Sequence, residues 1–206
     1  MLLLFKAFPF VRFLDLANVI TTFNIVLSII TVSLARSGHL SSAAATMCLA
    51  AALDFIDGHI ARTYFSNRRA NRDFGKQLDS LADMLNFSVA PALLLTQVVD
   101  SPIAGAVAGL LVLSGALRLA VFGATSPSTP QGYRGLPTTY SGFLLALAFQ
   151  VVAAHESPPE AVVGLVALIS VLQVTNMPIP KFKAMPTVGF IAISFATLTL
   201  LVHSSI

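Results

Sequence analysis

The sequence predicts an all-α polytopic membrane protein, with six to seven transmembrane helices behind a short N-terminal interfacial helix. Three observations predict it. Of 206 residues, 56% are hydrophobic and 10% charged, with a mean hydropathy of +0.84, a balance that leaves little room for a soluble domain. Apolar runs of about twenty residues, enough to cross a hydrocarbon core, recur along the chain. The basic residues gather in alternate connections between those runs. A pI near 9.4, with the bases spread over membrane-flanking segments, points to anionic lipid headgroups and away from nucleic acid. The single cysteine, Cys48, excludes an internal disulfide. Residues 1–206 read as one integral-membrane domain.

Residues 1–15 are apolar and aromatic, interrupted by Lys6, Pro9 and Arg12. They lack the leading charge, long apolar centre and small-residue cleavage site of a signal peptide, and read as a helix lying on the cytoplasmic surface. Spanning runs follow at 17–36, 40–63, 74–98, 102–124, 137–154, 159–176 and 186–203, the last within an extra C-terminal stretch, 186–206. The basic loop at 64–73 joins the second and third spans, which therefore run antiparallel. With that loop in the cytoplasm, Lys6, Arg12, Arg62, Arg68, Arg69, Arg72, Lys76, Arg118, Arg134, Lys181 and Lys183 share its side and only Arg36 lies outside. The outer connections carry Asp100, Glu156 and Glu160. This positive-inside bias sets the orientation expected in a cell membrane.

Four carboxylates interrupt the second and third spans. Asp54 and Asp57 are three residues apart, Asp79 and Asp83 four apart, so each pair shares one helix face. Asp54 lies about 14 Å before its helix end and Asp83 a similar distance after the start of the next, at 1.5 Å of rise per residue. Antiparallel spans thus bring all four to one point. Carboxylates there repel one another and are costly to bury without positive charge. All-oxygen ligation suits Mg²⁺, Mn²⁺ or Ca²⁺, and four acids balance two such ions, the arrangement used in phosphoryl chemistry. The competing accounts are helix capping, pairing with nearby arginines, and an ion-coupled transporter, since intramembrane acids serve transport too. The acids crowd into one short stretch without an obvious internal repeat, which favours the metal site.

The spacing D-x-x-D-G-x-x-A-R followed by G-x-x-x-D-x-x-x-D, here Asp54, Asp57, Gly58, Ala61, Arg62, Gly75, Asp79 and Asp83, resembles the signature of the CDP-alcohol phosphotransferase family. These membrane enzymes displace CMP from a CDP-activated lipid or alcohol with a second alcohol. The resemblance implies two divalent cations, Mg²⁺ or Mn²⁺, on the four acids, with Asp83 also the catalytic base. Twelve residues separate Arg62 from Gly75, a longer connection than is usual in the family. Asn18 and Thr21 stand where the family often has Pro-Asn-x-x-Thr, with Ala17 here replacing the proline, and become candidate CDP contacts. N-capping explains the same residues equally well. Gly58, Ala61 and Gly75 admit either a planar base or close helix packing. Arg62 suits a diphosphate, with a salt bridge to one acid as the alternative.

The run from Gly75 to Leu94, with Leu117–Phe122, Tyr133–Pro137 and Val174–Lys183, resembles the phosphatidylserine synthase branch of the family. Gly123 stands where that branch tends to have asparagine, and Thr138-Thr139 replaces a small residue and proline. The resemblance implies transfer from CDP-diacylglycerol to L-serine at a site facing the cytoplasm, in a homodimer. It also makes Arg118 and Arg134 candidate partners of the serine carboxylate, although snorkelling at the inner surface accounts for both. Glycerol 3-phosphate, inositol phosphate or an ether-linked lipid would use the same acidic site.

Overall fold

A computed structural model describes residues 8–64, 69–125, 128–129, 132–155 and 158–179. Seven α-helices account for most of them: α1 Leu16–Arg36, α2 Leu40–Tyr64, α3 Arg69–Met84, α4 Ala90–Val98, α5 Pro102–Thr125, α6 Thr138–His155 and α7 Glu160–Val174. A π-helical turn at Leu85–Val89 fuses α3 to α4. Four stretches are long and apolar enough to cross a membrane: Leu16–Arg36, Leu40–Ala61, Asn71–Val98 and Pro102–Thr125. The next two predicted spans form shorter apolar helices, Thr138–Ala154 and Glu160–Val174. The seventh, 186–203, lies outside the described residues, as do Lys181 and Lys183. The chain is thus a mostly helical integral membrane protein.

Its packing is that of helices in lipid. The interior is built largely of small side chains, with Ala43, Ala44, Ala50, Ala51, Ala104 and Ala146 almost fully buried, while Ile29, Leu81, Ile103 and Leu113 are exposed. Lipid is as apolar as leucine, so burial alone does not join the helices, and close approach of small residues does. Polar groups then fix register. Asn24 Nδ2 donates to the Ala50 carbonyl at 3.0 Å, Asn86 Nδ2 to the Asn24 carbonyl at 2.9 Å, and Gln150 Nε2 to Ser41 Oγ at 2.7 Å. Helix α1 lies along α2, α2 along α6, and α5 along α7.

The π-turn has a packing cause. Phe87 and Ser88, consecutive and fully buried, seat against Gly142 of α6 and Gly115 of α5, where a Cβ would collide with each. The wider turn lets neighbouring residues reach two different helices, a common use of such turns.

Three local expectations change. The loop expected at 64–73 is shorter, because α2 continues to Tyr64 and α3 already begins at Arg69; a helix whose first turns face water needs no apolar residues there. Of the N-terminal interfacial helix, the described part is a five-residue 3₁₀ turn, Pro9–Phe13, with Phe13 stacked on Phe74 at 5.0 Å. The all-α expectation omits a small antiparallel sheet of β1 (Ser128–Thr129), β2 (Gly132–Arg134) and β3 (Pro178–Ile179). After β2, Gly135 adopts φ +72°, and a Cβ there would lie 2.7 Å from the carbonyls of Gln173 and Thr175. Only glycine fits both constraints.

Candidate active site

Three of the four acids form one group. Asp54 and Asp57 on α2 and Asp79 on α3 each offer an oxygen within 4.8 Å of the others. Asp83 stands one turn further along α3, within electrostatic reach of Asp54 and Asp79. Asp57 is 2% exposed and Asp83 9%, so neither is screened by bulk water. Burying such a set is untenable without cations.

Each of three acids is held by a threonine from another helix. Thr21 Oγ1 of α1 lies 2.7 Å from Asp57 Oδ2, and also 3.0 Å from the Ala17 carbonyl. Thr139 donates to Asp54 Oδ2 and Thr138 to Asp83 Oδ2, both at 2.9 Å. Consecutive residues at the start of α6 point about 100° apart, so one turn reaches two acids on two helices. Asp83 Oδ1 is buried with no hydrogen-bond partner among the described residues. A buried carboxylate oxygen without a donor, beside Asp54 and Asp79, fits a divalent cation.

Two cavities open on this cluster, sharing Gly58 and Asp79. The larger, about 390 Å³, is lined by Asn18, Thr21, Asp57, Gly58, Ala61, Gly75 and Asp79, together with Asp15, Asn71, Arg72 and Lys76. It gathers every residue singled out for CDP contact except Arg62, whose side chain lies outside the described residues. Asn18 also acts locally, since its backbone N–H is capped by Asp15 Oδ1 at 3.0 Å and its Nδ2 donates to the Phe13 carbonyl at 2.7 Å. A Cβ on Gly75 would come within 2.6 Å of Asn18 Oδ1, so close helix packing by itself calls for a glycine there. Arg72 and Lys76 are not among the residues that the sequence singles out for this cavity. Their signal is nevertheless there, since positions 72, 76, 79 and 83 follow one face of α3.

The smaller cavity, about 200 Å³, is lined by Asp54, Asp79, Asp83, Arg118, Thr138 and Thr139, walled by Phe55, Phe122, Tyr133 and Tyr140. Arg118 Nη1 donates to the carbonyls of Arg134 at 3.0 Å and Gln173 at 3.2 Å, which ties α5 to β2 and to the end of α7. Arg134 does not line this cavity. Its exposed guanidinium donates to Asn176 Oδ1 at 3.1 Å and lines a neighbouring pocket with Arg118. The structure therefore separates the two arginines. Thr138, Thr139, Tyr133 and Tyr140 are site residues that the sequence does not mark, the threonines standing out there only as departures from a pattern.

Comparison with known proteins gives the family. Residues 14–203 match the profile of the CDP-alcohol phosphatidyltransferases. The chain is 30% identical over 174 residues to a CDP-diacylglycerol–serine O-phosphatidyltransferase of Helicobacter pylori, covering 81% of this chain and 72% of that protein. It is 29% identical over 175 residues to an archaetidylserine synthase of Methanothermobacter thermautotrophicus, covering 84% and 72%. With a CDP-diacylglycerol–serine O-phosphatidyltransferase of Bacillus subtilis it shares 32% over 134 residues, covering 64% and 70%.

Proposed function

Because the chain belongs to the CDP-alcohol phosphatidyltransferase family, we propose that it transfers the phosphatidyl group of CDP-diacylglycerol to L-serine, giving phosphatidylserine and CMP. The names of its relatives agree on serine. The observation that carries the reading is the pair of cavities joined at Gly58 and Asp79, with the acids between them.

The larger cavity takes the nucleotide. Thr21 and Asn18 line its wall, Gly58, Ala61 and Gly75 leave room for the cytosine ring, and Arg72 and Lys76 stand where a diphosphate needs cations. The acyl chains stay in the surrounding lipid. The smaller cavity takes serine, with Arg118 for its carboxylate, while Arg134 stands in the adjoining pocket. Asp54, Asp57, Asp79 and Asp83 would hold two divalent cations, Mg²⁺ or Mn²⁺. Bound there, such ions supply charge neutralisation for the diphosphate and orientation of its oxygens.

Asp83 is the catalytic base. Thr138 holds its carboxylate through Oδ2, and the acid, at the edge of the acid cluster in the smaller cavity, is placed to accept the serine hydroxyl proton. The serine oxygen then forms a bond to the β-phosphorus, and the bond from that phosphorus to the CMP oxygen breaks. The site faces the cytoplasm in this reading, supported by the basic residues on its side of the chain. A homodimer belongs to the same reading, and light scattering of the purified protein distinguishes it from a monomer.

The test is CMP release by purified protein given CDP-diacylglycerol with serine, glycerol 3-phosphate or inositol phosphate, each with Mg²⁺, Mn²⁺ or excess chelator. Release that needs both serine and a metal ion is expected. Release supported only by glycerol 3-phosphate reassigns the acceptor, and release indifferent to chelator removes the metal site.

A further inference from the structure

Serine leaves water as a zwitterion, and each of its charges needs compensation in a half-buried cavity. Among the described residues of the smaller cavity, Arg118 is the cation available to the carboxylate. The ammonium has no equivalent ion to pair with. Asp54, Asp79 and Asp83 line the same space, but they belong to the acid cluster that the metal ions neutralise, and an ammonium placed among them would compete with those ions. The uncharged part of the wall carries four aromatic rings, Phe55, Phe122, Tyr133 and Tyr140, beside Leu119, Pro137 and the two threonines that hold the acids. Tyr140 stacks on Phe55, with ring centroids 6.0 Å apart and planes 29° from parallel, and Tyr133 meets Tyr140 at 6.5 Å and 85°.

We propose that Tyr133 and Tyr140, backed by Phe55, form the subsite for the acceptor's ammonium group and so select an amino-alcohol acceptor over a hydroxy acid or a phosphorylated alcohol. This rests on the serine reading above. Two rings at right angles form a corner, and aromatic faces attract a cation through the ring quadrupole, more strongly where water is excluded. The rings are held in place by one another before any ligand arrives, which lowers the ordering cost of binding. The small sheet gains a purpose here. Its pairing of Tyr133 with Ile179 holds the tyrosine of β2 beside Tyr140 of α6.

The experiment measures KM for L-serine and for CDP-diacylglycerol in Tyr140→Leu, Tyr140→Phe and Tyr133→Leu, with competition by ethanolamine, which keeps the ammonium, and by glycerate, which keeps the carboxylate. Expected are a rise in serine KM of about tenfold or more in both leucine variants, little change in Tyr140→Phe, and an unchanged KM for CDP-diacylglycerol. Ethanolamine competition weakens in the leucine variants while glycerate competition persists. Unchanged serine KM in the leucine variants, equal loss of both competitors, or a Tyr140→Phe variant as impaired as Tyr140→Leu overturns the proposal. Should Tyr140→Leu fail to fold because Phe55 loses its neighbour, Tyr133→Leu decides. Wild-type protein that releases no CMP with serine overturns the functional reading itself, and this subsite with it, before any variant is compared.

Discussion

The two cavities that meet at Gly58 and Asp79 are built in opposite ways. The larger, proposed above for the nucleotide, comes from three successive helices, α1 to α3, and its residues lie between positions 15 and 79. The acceptor side draws on α2, α3, α5, β2 and the start of α6, spread from Asp54 to Tyr140. Neighbouring helices leave their mark as a motif, because local spacing sets which face each residue occupies. A wall assembled from distant segments leaves only separate short stretches, here Leu117–Phe122 and Tyr133–Pro137, with no spacing that joins them. On the proposed function, the nucleotide half of the site sits where local sequence can encode it, and the acceptor half where tertiary packing decides.

This contrast can be broken by variants that act on one side only. The largest effect should come from the acid proposed as the base, which lines the smaller cavity. Asp83→Asn keeps the shape and removes the base, and turnover is expected to fall about 10³-fold or more, with CDP-diacylglycerol binding by equilibrium titration largely retained. Retained activity would remove the catalytic role.

Arg118→Gln should follow, raising the serine KM by about 10- to 100-fold, the scale of a charge-assisted bond to a carboxylate. Arg134→Gln, exposed and outside the cavity, should change it by less than about threefold. Reversal of that order in steady-state kinetics would transfer the carboxylate to Arg134.

On the other side, Gly75→Ala forces Asn18 to move and should raise the KM for CDP-diacylglycerol about tenfold, within the usual range for overpacking, leaving serine KM unchanged. A parallel rise in both would mean the helices had separated and the two cavities do not act independently.

The smallest and sharpest comparison uses the threonines. Thr138→Val should lower kcat about tenfold through Asp83, the scale of a hydrogen bond to a charged group, and Thr138→Ser should restore it. Thr21→Val should act through Asp57 by a similar factor, mainly on the KM for CDP-diacylglycerol. Identical kinetic signatures from the two valine variants would show that the threonines support the cluster as a whole.

Much of the nucleotide side is legible in the sequence. The three- and four-residue intervals from Asp54 to Asp57 and from Asp79 to Asp83 place each pair on one face, and a short connection makes their helices antiparallel. Arg72 lies on the same face of α3 as Lys76, but hydropathy hides it in an apparent loop, because it starts a helix where the apolar residues start. Of the acceptor side the sequence offers two arginines, Arg118 and Arg134, and the stretches around them, without saying which arginine lines the cavity. Thr138 and Thr139 look like substitutions of no known use until α6 brings them against two different acids. Tyr133 acquires a role only through a sheet too short to have a periodic signature.

What the sequence alone determined about this protein was the membrane, the number and spacing of the acids, and the reaction class, since hydropathy and helical spacing are local properties that survive any arrangement of the remaining helices. Only the tertiary structure decided which threonine holds which acid, which arginine faces the cluster, and which rings stand beside it. Those depend on contacts such as Thr138 to Asp83 and Thr139 to Asp54, between residues 55 and 85 positions apart. They are made at small-residue helix contacts and a π-turn whose geometry no local pattern specifies.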